Sequence, residues 1–256
     1  MRVGLIVRGG VEEGTEASNA FPVFVELIRR LARDNDVQVF SLHGERRASS
    51  SSIRRSDEAV YQFAGASVFQ LGTTDAPRLR LLSDVARVWT AVRAAEPRWG
   101  APQILHGIGM SPGIVAASVG RILRVPSVVS LIGGELTSLP EFEYGELRSP
   151  KGRAVAAALL RGAGTITVAS RFMQDRVERH GAHARLMPFG IDVDRLGGPI
   201  VRRDGPPFRL LHVGTLCAIK ARVALALGLG AGLSRDRIAD LLADPGSPST
   251  SSQPPG

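Results

Sequence analysis

The strongest constraint on the fold is a regular alternation of short apolar runs with segments of helical period. The run from Arg2 to Val7 is rich in β-branched residues and ends at Arg8, and residues 20 to 33 then place apolar side chains at helical spacing. A second apolar run from Val37 to Leu42 completes a strand-helix-strand unit. Parallel pairing with a right-handed crossover is the default for such a unit.

The same alternation continues towards residue 187. Further strands are predicted at 60–64, 103–106, 126–131, 165–169 and 184–187, and helices at 78–95, 111–123, 151–161 and 170–180. Strands that alternate with helices in this way favour an α/β fold, a doubly wound parallel sheet of the Rossmann-like type.

The chain divides into a first domain and the beginning of a second. Residues 1–187 form the predicted Rossmann-like domain, and 188–207 is an interdomain linker rich in Pro, Gly and Arg. A new strand begins in the segment 208–233, while 234–256 reads as a short helix and a disordered tail. Because the composition changes abruptly after Lys220, we expect a truncated or frameshifted second domain.

Composition and charge exclude several classes of function. The net charge of +8 invites a nucleic-acid partner, but the basic residues are scattered arginines, so we expect none. Basic surface near acidic lipid, as in peripheral membrane association, stays open as a secondary interpretation. A single cysteine excludes an intrachain disulfide, and the absence of a long apolar run or signal peptide predicts a cytoplasmic protein. No spacing of metal ligands is present.

In an open parallel sheet, ligands bind beyond the carboxyl ends of the strands. The residues predicted at those ends are Gly9 and Gly10, His106, the turn Gly133-Gly134-Glu135, and Ser170. The first glycine pair serves equally well as a phosphate-binding loop or as a simple turn. His106 is either a base or, more commonly, a hydrogen-bonded structural residue. Glu135 is the strongest candidate for a catalytic residue. A carboxylate delivered by two glycines at a strand end is expected to have little structural purpose, whereas it could hydrogen-bond ligand hydroxyls or orient a leaving group.

Taken together, these segments resemble the family 4 glycosyltransferases of the GT-B fold. The resemblance covers nearly all of residues 1–220 and rests on the glycine pair after the first strand and on the segments ILHGIGMSPGIVAA, VPSVVSLIGGELTSLPEFEYG, GTITVASRFMQD, MPFGIDVDRL and RLLHVGTLCAIK. It is most specific in residues 188–196 and 210–220. Such enzymes consist of two Rossmann-like domains, of which the first binds the acceptor and the second a nucleotide sugar.

The resemblance implies a metal-independent retaining transfer, with no cofactor besides the donor substrate. Gly9 and Gly10 would lie near the donor phosphates, as would Gly214, and Lys220 would supply charge to the leaving diphosphate. After the strand at 126–131 the family often has a histidine, where this chain has Ile132. The acceptor would be an unidentified carbohydrate or lipid-linked molecule. Because the second domain is expected to be truncated, we expect donor binding no tighter than roughly millimolar and no efficient transferase activity from the chain as written.

Two other classes of function were weighed against a transferase. A non-catalytic module that binds a carbohydrate or a partner protein needs only the first domain. An NAD-dependent enzyme is excluded, because the Gly-x-Gly-x-x-Gly motif is missing after the first strand and no acidic residue ends the second.

Overall fold

The computed structural model describes residues 1–9, 11, 22–42, 61–71, 79–140 and 143–190. Almost all of these belong to one compact unit, Met1–Pro140 together with Gly145–Gly197. A second unit, Glu141–Tyr144 with Gly198–Gly256, contains few described residues. The predicted second-domain segments, 208–233 and 234–256, and most of the linker 188–207 lie outside the described residues.

The described residues contain strands and helices in alternation. The strands are β1 (Arg2–Val7), β2 (Asp36–Ser41), β3 (Tyr61–Phe63), β4 (Ala66–Gln70), β5 (Ile104–Ile108), β6 (Ser127–Leu131), β7 (Thr165–Val168) and β8 (Arg185–Leu186). The helices are α1 (Pro22–Asp34), α2 (Arg80–Trp99), α3 (Met110–Leu123), α4 (Pro150–Gly162) and α5 (Arg171–Arg179). The strands form one sheet in the order β3-β4-β2-β1-β5-β6-β7-β8.

The predicted doubly wound, Rossmann-like sheet is confirmed. β1 lies at its centre and pairs in parallel with both β2 and β5, so that Leu5 is level with Val39 on one side and His106 on the other. Only β3 departs from the parallel pattern among the described strands, since it pairs antiparallel with β4. β4 is absent from the sequence prediction, because the alternation ASVFQ directly follows β3 after a two-residue turn and merges with it.

The core has a layer on each face of the sheet. On one face, Phe24 and Ile28 of α1 pack against a cluster that includes Leu5 and Val39. On the other face, α2 and α3 cover a cluster that includes Ile6. Further along the sheet, α4 and α5 pack on side chains of β6 and β7. Burial on both faces explains why the strands read as nearly continuous apolar runs.

Two helix boundaries differ from the sequence predictions. α2 continues through Pro97 to Trp99, and Gly100 then ends it at a φ of 76°. A proline so close to the end removes one hydrogen bond from the last turn but does not disturb the helix interior. α3 begins at Met110, and its N-cap is Gly109, at a φ of 85°, rather than Ser111. Ser149 and Ser170 do cap α4 and α5 through their side chains.

α3 approaches the sheet more closely than an ordinary helix does, because glycines stand at the contact. A Cβ atom on Gly107 of β5 would lie 2.6 Å from the Cα atom of Gly113 in α3. In turn, a Cβ atom on Gly113 would lie 2.5 Å from a methyl group of Val129 in β6. The close approach fixes the first turn of α3 against the carboxyl ends of β5 and β6.

We expect Gly107→Ala to destabilise the fold strongly. The new methyl group meets backbone atoms of α3, which cannot move away without shifting the helix, so the free energy of unfolding should fall by about 2 kcal/mol or more. Gly162→Ala is the matched control, because a Cβ atom there meets nothing within 4 Å and alanine favours the helix by up to about 1 kcal/mol. Urea unfolding of both variants measures the difference; equal stability would contradict the packing argument.

Candidate functional site

The sheet order places a crevice at the carboxyl ends of β1 and β5. From β1 the chain winds outwards through β2 to β4, and it then returns to the other side of β1 to continue with β5. Loops from neighbouring strands diverge where the winding reverses, and ligands of open α/β sheets bind in the gap between them. The loop that follows β1 and the start of α3 therefore border the candidate site.

The loop after β1 begins with Arg8 and Gly9. Gly9 is buried and has a φ of 82°, a conformation that only glycine adopts without strain. The conformation gives Gly9 a structural reason to be glycine, whichever ligand binds there. Gly10 lies outside the described residues.

Arg8 is held by an ion pair that crosses from the loop to α2. Its Nη2 donates to Oδ2 of Asp84 at 2.5 Å, and its Nη1 donates to the carbonyl of Leu42, which follows β2, at 3.3 Å. The Asp84 side chain is 1% exposed, whereas 26% of the Arg8 side chain remains exposed. Two contacts therefore hold the guanidinium in place, while part of the Arg8 side chain remains exposed.

The turn after β6 is organised by the carboxylate of Glu135. Its Oε1 accepts the backbone N–H of Ile132 at 2.8 Å, and its Oε2 accepts that of Gly133 at 2.6 Å. The side chain is buried, and the residue lies in a short 3-10 turn, Gly134–Leu136. A Cβ atom on Gly109 would be 3.8 Å from Oε1, which places the carboxylate beside the first turn of α3.

The geometry changes the reasoning that led to Glu135. The expectation that a carboxylate in this turn has little structural purpose is wrong, because Glu135 satisfies two backbone donors that burial would otherwise leave without partners. Both oxygens retain further lone pairs for a ligand hydroxyl. A catalytic role for Glu135 therefore stays a prediction, next to a structural role that the contacts show.

His106 lies within β5 rather than at its end, because the strand continues to Ile108. Its Nε2 is 2.8 Å from the hydroxyl oxygen of Ser130 in β6, which is in turn 2.7 Å from Oγ1 of Thr167 in β7. The three side chains form a polar row across one face of the sheet. Burial lowers the pKa of His106 from its ordinary value of 6.5 to about 4, so the imidazole is neutral at pH 7.

The structure brings together some of the predicted residues and not others. Glu135, Gly133 and Gly134 share one turn at the carboxyl edge, and Gly9 lies at the same edge after β1. His106 sits on a sheet face, in the row with Ser130. The remaining predicted residues, Gly10, Gly214 and Lys220, lie outside the described residues.

Sequence reasoning missed Arg8 and Asp84. Asp84 occupies the apolar stripe of α2, three residues after Leu81 and four before Val88, both of which belong to the apolar cluster on that face of the sheet. A carboxylate at such a position needs a cationic partner in the interior, so the position of Asp84 on the apolar stripe is the sequence feature that could have indicated this ion pair. The partner itself could not be read from the sequence, because Arg8 is far away along the chain.

Neither a metal centre nor a membrane span emerges from the part of the chain that the structure describes. No group of three or more His, Cys, Asp or Glu side chains is placed to hold an ion there. Within the same residues, no helix is both long enough and apolar enough to cross a bilayer.

These features define the class of protein as a Rossmann-like α/β domain with a topological switch point between β1 and β5. Residues 22–190 match the model of the glycosyl transferase 4-like domain. The chain belongs to this family, and the sequence resemblance to family 4 glycosyltransferases is confirmed. Among curated proteins, none matches the chain.

Solved structures show the same fold at low sequence identity. Sucrose-phosphate synthase from Thermosynechococcus elongatus superposes with a TM-score of 0.52 at 15% identity, over 75% of this chain and 49% of that one. The Anabaena protein Alr3699/HepE, in complex with UDP and glucose, gives a TM-score of 0.50 at 15% identity, over 76% of this chain and 46% of its own. This chain thus aligns with about half the length of each, and the likeness shows the Rossmann-like fold found in GT-B enzymes.

We expect Glu135→Gln to destabilise the domain. The amide group of glutamine places an N–H donor where one of the two backbone N–H groups needs an acceptor, so the free energy of unfolding should fall by about 1–3 kcal/mol. Glu178→Gln, on the exposed surface of α5, is the control and should be neutral within about 0.5 kcal/mol. Chemical denaturation compares them. Unchanged stability of Glu135→Gln would remove the structural role and leave only a functional one.

The low pKa of His106 predicts a loss of stability in acid. The unfolded chain binds a proton at the ordinary pKa of 6.5 but the folded chain only near 4, so this contribution is full above pH 6.5 and is lost as the pH falls towards 4. His106→Gln lacks this titration. When the pH is lowered from 7 to 4.5, its free energy of unfolding relative to that of the wild type should therefore rise by about 1–2 kcal/mol. Urea unfolding at both pH values tests this, with His180→Gln, an exposed site, as control. Parallel pH profiles for wild type and His106→Gln would contradict it.

Proposed function

We propose that residues 22–190 are the acceptor-side half of a glycosyltransferase that moves a sugar from a nucleotide-sugar donor to an acceptor. The observation that carries this proposal is the topological switch point of the sheet in a domain of the glycosyl transferase 4-like family. In a two-domain transferase, this edge of the sheet would face the nucleotide-binding half. The reaction would proceed with retention at the anomeric carbon, as the family resemblance implies.

A nucleotide-sugar donor is supported by the structural neighbour that contains UDP and glucose. The turn at Gly9 would let a diphosphate approach the backbone closely, because glycine has no side chain of its own. The family resemblance assigns Gly10 and Gly214 to the same donor site, and it assigns Lys220 to the leaving diphosphate. No cofactor is needed beyond the donor.

Two described groups are proposed for the acceptor side. Glu135, with lone pairs left over after it has accepted two backbone N–H bonds, would accept hydrogen bonds from sugar hydroxyls. Gly133 and Gly134 would give it access to the crevice. His106 is neutral at pH 7 and hydrogen-bonds to Ser130. It would influence the site through this hydrogen bond and would not contact the sugar directly. We expect the acceptor to be a carbohydrate or a lipid-linked carbohydrate, met in the cytoplasm or at a membrane surface.

Transfer by the purified chain is the direct test. In line with the weak donor binding expected from the sequence, we expect only inefficient transfer of labelled sugar from a nucleotide sugar such as UDP-glucose to a glycan or glycolipid acceptor, and any product should carry an α-linkage from an α-linked donor. Heat-inactivated chain is the control for spontaneous donor hydrolysis. Inverted stereochemistry would contradict the retaining mechanism, and acceptor binding without turnover of any donor would favour the alternative below.

The second candidate is a non-catalytic module that binds a carbohydrate or a partner protein. The observation that favours it is that both predicted catalytic side chains, Glu135 and His106, already make hydrogen bonds to their own fold. Equilibrium binding to glycan acceptors separates the two functions. The module predicts that affinity for an acceptor is independent of nucleotide sugar, whereas the transferase predicts that UDP-sugar changes it.

A further inference from the structure

The guanidinium of Arg8 stands at the switch point in an arrangement that its fold alone does not require. It follows β1 directly, next to the turn at Gly9, and it makes two described hydrogen bonds, to Asp84 and to the Leu42 carbonyl. A guanidinium carries more N–H donors than these two bonds use. With 26% of the side chain exposed, the remaining donors are left for solvent or a ligand.

Asp84 explains how the guanidinium is kept in place. Its carboxylate is 1% exposed, and its Oδ1 has no hydrogen-bond partner among the described residues, so Arg8 is the group that compensates its charge. A buried carboxylate that lost this partner would be costly. The pair therefore restricts the long, flexible arginine to one geometry, and a ligand would not have to immobilise it.

From this geometry we propose that Arg8 binds a phosphoryl group in the switch-point crevice and that Asp84 positions it. The planar guanidinium can satisfy a carboxylate on one edge and two phosphate oxygens on another, which an ammonium cannot do. Gly9, next to Arg8 along the chain, has no side chain of its own and has a positive φ, so its backbone can come close to a ligand. The first turn of α3 contributes little, because the Glu135 carboxylate already lies beside Gly109.

The phosphoryl group has two sources within the same chemistry. It is either the diphosphate of the nucleotide-sugar donor or the phosphate of a phosphorylated acceptor, such as a sugar phosphate or a lipid-linked phosphate. The choice between these sources rests on the proposed function, whereas binding of the phosphoryl group itself rests only on Arg8 and Asp84.

The test is a titration of the full chain with inorganic pyrophosphate at constant ionic strength, followed by phosphorus NMR or calorimetry. Arg8→Lys keeps the charge and the partner of Asp84 but loses the fork of parallel donors, so the Kd should rise about tenfold or more. Arg121→Lys, an exposed arginine in the last turn of α3, should leave the Kd unchanged. An equal loss in both variants would mean general attraction to a basic protein and would overturn the proposal, as would no loss in Arg8→Lys.

Asp84→Asn tests the positioning role with an outcome of definite sign. If Asp84 only neutralised Arg8, removing its negative charge would strengthen phosphate binding by Coulomb attraction. If it holds the guanidinium in place, binding should weaken by several-fold despite the added positive charge. Tighter binding in Asp84→Asn would overturn the assignment of Asp84 as a positioning residue.

A double variant covers the case in which a single change prevents folding. Arg8→Leu with Asp84→Leu removes both charges together, and apolar replacements of a buried ion pair are commonly tolerated. We expect this variant to fold and to lose pyrophosphate binding. The matched control removes the exposed pair Arg93–Glu96, 2.7 Å apart on the surface of α2, in the same way and should bind as wild type. Retained binding in the Arg8/Asp84 double variant would overturn the proposal.

Two further ligands separate the sources and keep this inference distinct from the proposed function. If the donor supplies the phosphoryl group, Arg8→Lys should weaken UDP binding and leave glucose 6-phosphate unaffected; a phosphorylated acceptor gives the reverse. If the chain binds pyrophosphate through Arg8 but transfers no sugar, the role of Arg8 is supported and the transferase function is not. Sugar transfer that is insensitive to Arg8→Lys supports the transferase and overturns the inference.

Discussion

The close packing of α3 against β5 and β6 is the contact on which the candidate site depends. Because Gly107 and Gly113 have no side chains at this contact, the helix backbone lies almost directly on the strands. The first turn of α3 is thereby fixed at the carboxyl edge of the sheet, and Gly109 hydrogen-bonds to the carbonyl of Ser130. That position leaves room for the Glu135 carboxylate beside Gly109. A helix one methyl group further from the sheet would shift every one of these groups.

The two sides of the crevice use their carboxylates in different ways. Glu135 accepts backbone N–H bonds within its own turn, so its charge is spread over the local backbone. Asp84 instead compensates one long-range cation, Arg8, which it reaches across the interior from α2. A ligand at the Glu135 side would meet carboxylate oxygens that each accept one backbone N–H and keep further lone pairs, which suits hydroxyl groups. A ligand at the Arg8 side would meet a guanidinium with N–H donors that the two described hydrogen bonds do not use, which suits an anion. A phosphorylated sugar carries both kinds of group.

Periodicity was sufficient to predict the parallel sheet and most helices, because strands that are buried on both faces consist of consecutive apolar residues. The β3-β4 hairpin was missed for a local reason: Ala64 and Gly65 turn the chain with positive φ values, and the two short strands read as one segment. The start of α3 was misplaced because Ser111-Pro112 has the composition of a cap, whereas the conformation of Gly109 sets the boundary. Local sequence does not reveal which of two adjacent candidates takes the positive φ.

The candidate site was harder to predict than the fold, because its groups are paired over long distances. Glycines and a glutamate in one turn are visible as a motif, and Glu135 was found in this way. The pairing of Arg8 with Asp84 is not visible, since 76 positions separate them and the residues adjacent to each in the sequence do not indicate its partner. The sequence does show that a carboxylate lies on the apolar stripe of α2. Burying it is energetically unfavourable unless a cationic side chain pairs with it. An unfavourable residue that the fold compensates with an arginine at a ligand-binding edge is better explained by binding than by stability, because an apolar residue at position 84 would serve stability at least as well.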